Sequence, residues 1–297
     1  MGIAEQFRSA PSFAITAAVI VIAGGFMLLA ERIAPLRRAV ESKLRRLVRN
    51  LSAGGVSLAL MSLIQAPLLQ PVGAWIVRER IGLLQLLHWP RWLETIVAIV
   101  LLDYTLWWWH WATHRVPFLW RFHLVHHIDR DLDTTTALRF HFGELALSIP
   151  MRAAQMILIG VDTQTLWLWQ TILFASILFH HSNARLPLRV ERLLVRFIAT
   201  PRMHGIHHSD RIDETNTNWS SLLSWWDYLH GTILLDVPQA EITIGVPAYA
   251  AASDVTIGKI LLLPFRRQRR DFHLPDGRLA TREQGSARSE GSATLMA

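Results

Sequence analysis

The stretch "HWATHRVPFLWRFHLVHH", residues 110 to 127, holds five histidines in eighteen positions. Two of them are four residues apart, and the other three are spaced by three residues and then by one. On an α-helix, residues at i, i+3 and i+4 lie on the same face. The spacing therefore predicts two sets of histidines, each on one face of a helix: His110 and His114, then His123, His126 and His127.

A proline separates the two sets. Pro117 lacks a backbone donor and disfavours helical geometry at Val116, so we expect the first helix to end there. The same proline can open the next helix. The sequence thus predicts a helical corner that lets both sets face a common point.

A third set lies in "TPRMHGIHHSD", where His204, His207 and His208 repeat the H-x-x-H-H spacing. Thr200 is suited to cap the helix and Pro201 to occupy its first position. This helix is also expected to project its histidines from one side.

Eight imidazoles at these spacings indicate metal binding, since neutral imidazole is the commonest nitrogen ligand of transition metals. One ion rarely uses eight, so we expect two ions, and a nitrogen-rich shell favours iron, zinc or copper over magnesium or calcium. The alternative, ordinary polar residues at a membrane interface, is how we interpret His88, His230 and His273.

The composition indicates an integral membrane protein. The chain has 297 residues, of which 51% are hydrophobic and 18% are charged, and its mean hydropathy is +0.26. Its net charge of +7 comes mostly from arginines beside apolar runs and in the tail, so we expect membrane flanking and no nucleic-acid partner. The absence of cysteine excludes disulfides and thiolate ligands.

Apolar runs predict several membrane-spanning helices, over residues 13–30, from Trp92 onward, over 145–160 and over 163–181. Residues 51–77 are also apolar, and Pro67 and Pro71 leave a kinked span and a re-entrant hairpin both open. Seven Lys or Arg between residues 32 and 49 place that loop in the cytoplasm and the N-terminus outside. If residues 51–77 cross once, the histidines are cytoplasmic too.

These features predict an all-α, multi-pass membrane protein with a cytosolic helical cap that carries a histidine-rich dimetal site. We expect N-terminal spans and a basic loop over residues 1–92. A catalytic domain with further spans should follow over 93–235. The C-terminal region, 236–297, should end in a basic tail that is disordered from residue 276 onward.

The three histidine boxes, "HWATH", "HLVHH" and "HGIHH", resemble the eight-histidine pattern of the fatty acid hydroxylase/sterol desaturase superfamily. "DYTLWWWH", "TTALRFHFGE", "FHHSN", "ETNTNW" and "SWWDYLHGT" strengthen the resemblance, which covers residues 103–232. It implies a membrane oxidoreductase with two iron ions at the cytosolic face, for which zinc can substitute. Such enzymes use dioxygen and external electrons to hydroxylate or desaturate lipids.

The resemblance also implies roles for particular residues. The metal ligands it implies are His110, His114, His123, His126, His127, His204, His207 and His208, with His181 of "FHHSN" as a further one. His180 is either a ligand or an interface residue. His141, in "RFHFGE" where the family usually has proline next, is a ligand or a partner of one. Asp103, Glu144 and Asn218 are candidates for ligands or for residues that orient ligands.

The function implied is a lipid hydroxylase or desaturase of a bacterial inner membrane, acting on a sterol, hopanoid, carotenoid, fatty acyl or ether lipid. Because no G-x-G-x-x-G motif is present, a reductase, ferredoxin or b-type cytochrome must supply electrons. Two alternatives are a membrane metal transporter and a dinuclear zinc hydrolase. The transporter would need ligands in the middle of its spans, and the hydrolase would need a carboxylate-rich site.

Overall fold

A computed structural model describes residues 13–86 and 88–282. Five long helices dominate these residues: α1 (Phe13–Ile33), α2 (Lys43–Glu79), α3 (Arg91–Arg115), α5 (Phe142–Ile159) and α6 (Thr163–His181). Six shorter ones are α4 (Pro117–His127), α7 (Leu188–Leu194), α8 (Pro201–His207), α9 (Ile212–Thr215), α10 (Trp225–His230) and α11 (Ile257–Leu262). The described residues contain isolated β-bridges but no strand, which confirms the all-α prediction.

Short 3₁₀ segments connect the helices. They span Leu83–Leu86, Thr134–Leu138, Gln239–Glu241, Pro247–Tyr249, Ala252–Val255 and Leu263–Phe265.

Local sequence explains where the helices near the histidines begin and end. Helix α3 stops at Arg115, Val116 is extended, and Pro117 is the first residue of α4. At α8, the Thr200 hydroxyl accepts a hydrogen bond from the Met203 N–H, as a capping residue should. Both boundaries agree with the predictions.

The proline-containing segment forms one bent helix. The parts Lys43–Met61 and Leu63–Leu86 meet at 42°, and Pro67 and Pro71 lie inside α2. The bend precedes Pro67 by about one turn, where the proline ring crowds the backbone carbonyl four residues earlier. Since 42° does not reverse the chain, residues 51–77 contain no hairpin.

Among the described residues, α5 is the one helix long and apolar enough by itself to cross a membrane. The two bent segments Lys43–Met61 and Leu63–Leu86 are also long and apolar enough to cross a membrane when they are taken together as one span. These helices pack with α3 and α6 around a shared apolar core that includes Ile76, Leu102, Met156 and Leu166.

The helical bundle has two distinct ends. At one end the Gln85 amide donates to the Gly160 carbonyl at 2.9 Å, and Arg91 pairs with Asp162. The turn there ends α5 at Gly160, which has φ 86°, and begins α6 at the capping residue Asp162. The other end holds all the box histidines.

The basic loop is anchored at the histidine end by buried ion pairs rather than being fully solvated. Arg46 pairs with Asp129 at 2.8 Å and with Asp133, and Arg139 lies 3.4 Å from the same Asp129 carboxylate. Burial alone would raise the pKa of Asp129, but Arg46 and Arg139 hold it well below its ordinary value. These contacts tie the start of α2 to the chain that follows α4.

Part of the C-terminal segment expected to be disordered is ordered. The Ala280 N–H donates to the Phe272 carbonyl at 2.8 Å, and Arg282 pairs with Glu214 and, at 2.7 Å, with Glu241. The composition of the tail could not predict this order, because the two acids that pair with Arg282 lie on distant segments of the sequence. Residues 1–12 and the rest of the predicted disordered tail, 283–297, lie outside the described residues.

Candidate metal centre

Nine of the predicted histidines come together in two adjacent groups. In each group every residue offers one ring nitrogen, and these nitrogens all lie within 4.8 Å of one another. The first histidine group contains His110, His114, His123, His127 and His207. The second histidine group contains His126, His181, His204 and His208.

The two H-x-x-H-H helices each contribute to both groups. Helix α4 sends His123 and His127 to the first group and His126 to the second. Helix α8 and its C-cap divide in the opposite way, with His207 in the first group and His204 and His208 in the second. The groups therefore share two helices, and a shift of either helix moves both.

Hydrogen bonds from the chain orient three of the five rings in the first group. The Nδ1 atoms of His110 and His207 lie 2.6 Å and 2.8 Å from the carbonyl oxygens of Trp219 and Thr217. His123 Nδ1 lies 2.7 Å from Glu144 Oε1. A carbonyl or carboxylate can only accept, so each Nδ1 carries the proton and each Nε2 keeps a free lone pair.

The second group is held more loosely by the chain. His181 Nδ1 lies 2.8 Å from the Ile177 carbonyl, but the Nδ1 atoms of His126, His204 and His208 are buried and have no hydrogen-bond partner among the described residues. The Nε2 atoms face one another, at 2.9 Å for His126 and His181 and at 3.1 Å for His181 and His204.

This arrangement fits metal cations. Burial, reinforced by the neighbouring imidazoles, lowers the pKa of His126, His127, His204 and His208 well below the ordinary value, so these rings are neutral. The Nε2 atoms of His204 and His208 lie only 3.1 Å apart, so their lone pairs converge on one point. A cation in each group would satisfy these lone pairs, and an all-nitrogen donor set suits a transition metal.

Two of the less certain histidines lie outside both groups. His180 contacts His204 with its ring tilted by 55° and the ring centroids 4.1 Å apart, but it offers no nitrogen to either group. His141 caps α5: its Nδ1 accepts from the Gly143 N–H at 2.9 Å, and its Nε2 lies 3.1 Å from the Leu261 carbonyl. Both ring nitrogens of His141 are thus engaged with the chain.

The other candidates differ in how close they come to the histidines. Glu144 contacts His123 directly. Asp103 instead accepts from the Leu223 N–H at 3.0 Å and from the Trp226 indole at 2.7 Å, so it does not hydrogen-bond to His110.

Asn218 shapes the turn that orients two of the histidines. Its φ is 56°, in the left-handed region. It lies between Thr217 and Trp219, whose carbonyls accept hydrogen bonds from His207 and His110. Its amide donates to the Met203 and Leu234 carbonyls at 3.0 and 2.7 Å, which fixes this turn.

Sequence reasoning missed Asp227, which lies in the quoted "SWWDYLHGT". This buried carboxylate accepts from the backbone N–H groups of Trp219 and Ser220 at 3.0 and 2.8 Å. It also accepts from the Trp107 indole at 3.1 Å and the Thr232 hydroxyl at 2.6 Å. It therefore fixes the turn whose carbonyl accepts from His110. The available sequence signal was an acid directly after a tryptophan pair.

Comparison with known proteins finds similarity to one enzyme family over part of the chain. Residues 95–232 match the fatty acid hydroxylase family model. The chain is 30% identical over 165 residues to an ornithine lipid hydroxylase of Rhizobium tropici, covering 55% of this chain and 49% of that protein. It is 27% identical over 173 residues to methylsterol monooxygenase 1-3 of Arabidopsis thaliana, covering 58% and 57% of the two chains.

A more distant similarity joins the chain to an alkylglycerol monooxygenase of Xenopus tropicalis, at 27% identity over 163 residues, or 52% of this chain and 32% of that one. The matched part of the chain thus spans about half the length of the first two relatives and 32% of the length of the third. No solved structure matches it.

Residues 95–232 are thus similar to the fatty acid hydroxylase family, and the relatives that match this part of the chain include a lipid hydroxylase and a methylsterol monooxygenase. This confirms the resemblance drawn from the histidine boxes. The relatives named as a hydroxylase and a monooxygenase agree with the expectation of an oxygen-dependent oxidoreductase.

Proposed function

We propose that this protein is a membrane-bound di-iron oxygenase that hydroxylates a lipid with dioxygen and external electrons. The observation that carries the proposal is the pair of adjacent histidine groups at one end of an apolar helical bundle. The family match supports it, since the named relatives are a lipid hydroxylase and monooxygenases.

The nine grouped histidines are the proposed ligands, five for one ion and four for the other. Two iron ions bound there would supply the activation of dioxygen and the removal of hydrogen from an unreactive lipid carbon. The chain's part is to hold neutral nitrogens in place, which Glu144 and the carbonyls of Thr217 and Trp219 do for the first group.

Hydroxylation is favoured over desaturation, because the relatives are named for hydroxylation or monooxygenation. Their named substrates are an ornithine lipid, a methylsterol and an alkylglycerol, so the shared class is an amphiphile with a long apolar part. We assign the chemistry to a catalytic region over residues 93–235. A separate redox protein or reductase supplies the electrons.

The surface of the bundle supports a multi-pass membrane placement. Large apolar side chains are exposed on several long helices, including Ile22 (70%) on α1, Leu63 (74%) on α2 and Leu158 (73%) on α5. Water-soluble proteins rarely expose contiguous apolar surface of this kind. The basic loop lies at the histidine end, and by the positive-inside rule this supports a cytoplasmic location for that end, in our proposal at a bacterial inner membrane.

Metal content and the source of the product oxygen test the function together. Protein purified without oxygen should contain two iron ions per chain. With a reducing system and ¹⁸O₂, lipid extracts of the host should gain one labelled oxygen atom in one lipid class. His207→Ala should abolish this labelling, and the matched exposed-site variant Arg278→Ala should retain it.

The same experiment separates the alternatives. New oxygen in the product that stays unlabelled under ¹⁸O₂, because it comes from water, would indicate a zinc hydrolase. Metal uptake into vesicles without lipid oxidation would indicate a transporter. Either result would overturn the proposal.

Cysteine accessibility tests the topology, because the native chain has no cysteine. Ser42 and Ser253 are exposed at the histidine end, and His88 follows α2 at the opposite end. Ser42→Cys and Ser253→Cys should resist an impermeant thiol reagent in intact cells, and His88→Cys should react. The reverse pattern would place the histidines outside the cell.

A further inference from the structure

Helix α10 lies beside the middle of α3, on the membrane side of the histidines. The Leu223 N–H donates to Asp103 Oδ2 at 3.0 Å, and the Trp226 indole donates to the same oxygen at 2.7 Å. Helix α3 runs toward the histidine end, and Asp103 precedes His110 by seven residues, roughly 10 Å along the helix axis. The start of α10 therefore lies well below the histidines, alongside the long helices of the bundle.

The segment that contains α10 begins and ends at the level of the histidines. The Trp219 carbonyl accepts a hydrogen bond from His110 Nδ1, and the Asn218 N–H donates to the Thr232 carbonyl at 3.1 Å. The chain thus leaves the histidine end, runs down along α3 and returns to its starting level. Such a path is re-entrant and does not cross the bundle.

The depth that this segment reaches lies within the apolar layer of the bundle. The Gln155 amide of α5 donates to the Leu102 carbonyl at 3.0 Å, so the residue next to Asp103 is close to the level of Gln155. Gln155 comes thirteen residues after Phe142, the first residue of α5, which is roughly 20 Å along this span-length helix. A glutamine side chain is short compared with that distance. In a hydrocarbon layer about 30 Å thick, Asp103 and the start of α10 are then inside the layer.

One face of α10 packs against α3. The Trp226 ring lies 4.8 Å from the Tyr104 ring, and the His230 ring stacks on Trp107 at 4.1 Å, both measured between ring centroids. Asp227, on the same side, is buried. This packing leaves the opposite face of α10 uncovered by the described residues.

The outward face of α10 is apolar and continuous with the exposed surface of α3. Leu229 is 66% exposed, and Trp225 and Tyr228 are also exposed. Trp108, an exposed residue of α3, contacts the His230 ring with ring centroids 5.1 Å apart. The two surfaces therefore face the same surroundings, and soluble proteins rarely expose contiguous apolar area of this kind.

One charge borders this face, and its position fits a membrane. Arg196 is exposed, and its backbone carbonyl accepts from the Trp225 indole at 3.1 Å. Arg196, Trp225, Trp226, Tyr228 and Leu229 together line a shallow groove. Arginine, tryptophan and tyrosine combine an apolar body with a polar end, so they suit a site where acyl chains meet headgroups.

We propose that residues 219–230 form a re-entrant membrane segment whose outward face, Trp225, Tyr228 and Leu229, contacts lipid acyl chains. This inference rests on the membrane placement given under the proposed function. Lipid contact then reaches the candidate metal centre through α10 itself. The same short helix carries Asp227, which fixes the turn whose carbonyl accepts from His110.

Site-directed spin labelling measures this contact, because the native chain has no cysteine. Leu229→Cys carries a nitroxide in the iron-loaded protein, reconstituted into vesicles of phosphatidylcholine and phosphatidylglycerol. Collisions of the nitroxide with dioxygen and with a polar nickel chelate are each measured against a nitrogen baseline, so the effect of the iron cancels. Dioxygen concentrates in hydrocarbon, whereas the nickel chelate is excluded because it would lose its hydrogen bonds with water.

Two further labelled variants give the reference values. Leu279→Cys is the matched control, since Leu279 is an equally apolar, 50% exposed residue of the C-terminal segment at the histidine end. Ile22→Cys, on the exposed surface of α1, is the reference for hydrocarbon. The label at Leu229→Cys should meet the nickel chelate about tenfold less often than the label at Leu279→Cys, and dioxygen about as often as the label at Ile22→Cys.

The possible failures are distinguishable. Free access of the nickel chelate to Leu229→Cys, with Ile22→Cys protected, would place α10 in water and overturn the proposal. Access to Ile22→Cys as well would overturn the membrane placement itself. Rare collisions with both reagents at Leu229→Cys would mean that protein covers α10 and would also overturn the proposal, and spin–spin broadening between labels would identify a second copy of this chain as the cover.

Discussion

The two histidine groups are made from the same helices but are supported differently. In the first group, His110, His123 and His207 each donate a hydrogen bond from Nδ1–H to an oxygen of the chain. In the second group only His181 does so, and it uses a carbonyl of its own helix. The chain thus fixes three of the five rings of the first group from outside and leaves most of the second group without that support.

The difference predicts two metal positions of unequal strength. A hydrogen bond from Nδ1–H to an oxygen fixes the ring and makes the metal-binding nitrogen more basic. The first group is therefore better oriented by the chain, whereas the order of the second group would depend more on a bound ion. This asymmetry suits a pair in which one ion stays in place while the other adjusts its ligands.

The largest effect is expected from removing one ligand of each group. His207→Ala should lose the ion of the first group and His204→Ala that of the second, so each variant retains about one iron per chain and loses turnover. Metal analysis together with Mössbauer spectroscopy should give different residual spectra, because five nitrogens surround one position and four the other.

His273→Ala is the control for these variants, since His273 lies outside both groups and should retain two ions and wild-type turnover. If both box variants keep two ions, the assignment of these histidines as ligands is wrong.

Much of the helical framework could be predicted from local sequence. Pro117 and Thr200 set the helix boundaries through their own backbone and side-chain chemistry, which needs no distant partner. The buried pairing of Arg46 with Asp129 could not be predicted, because it joins residues 83 positions apart and either one alone looks like a surface charge. The ordering of Arg282 by Glu214 escaped prediction for the same reason.

At the site, helical spacing indicated which histidines share a face but not which group each one joins. His126 and His127 are adjacent in sequence and yet belong to different groups, because the corner at Pro117 and the position of α8 decide what each ring faces. The role of the Thr217 and Trp219 carbonyls could not be predicted from the residue types, because every residue has a backbone carbonyl. Only Asp227, whose carboxylate fixes that turn, offered a side-chain signal.

The next largest effect should come from Glu144, which supports the first group alone. Glu144→Ala removes the acceptor of the His123 proton and should weaken the first ion about 10- to 100-fold, as loss of an outer partner usually does. Glu144→Gln keeps an acceptor oxygen and should weaken it less. Competition with a chelator measures both.

Glu79→Gln is the matched control, because Glu79 is exposed at the far end of α2. An equal loss from both groups in Glu144→Ala would contradict the separate support that the structure shows.

A smaller difference should appear when wild-type protein is treated with a chelator. The ion of the second group should leave roughly tenfold faster, since three of its four rings lack support from the chain. The release curve should have two phases of equal size. His204→Ala should lack the fast phase and His207→Ala the slow one, and the opposite assignment would refute the ranking of the two groups.

The smallest effect is expected from a change at His180. This variant tests whether the second group has ligands beyond the four histidines named above. His180 and His181 are consecutive on α6, but only His181 offers a nitrogen to the group. His181→Gln should therefore lose the second ion, whereas His180→Gln should keep two ions per chain and change turnover by no more than a few-fold. Glutamine fits this comparison because it is polar and similar in length but a poor ligand for iron. If His180→Gln loses an ion, the second group has five ligands like the first, and the asymmetry between the groups lies only in their outer hydrogen bonds.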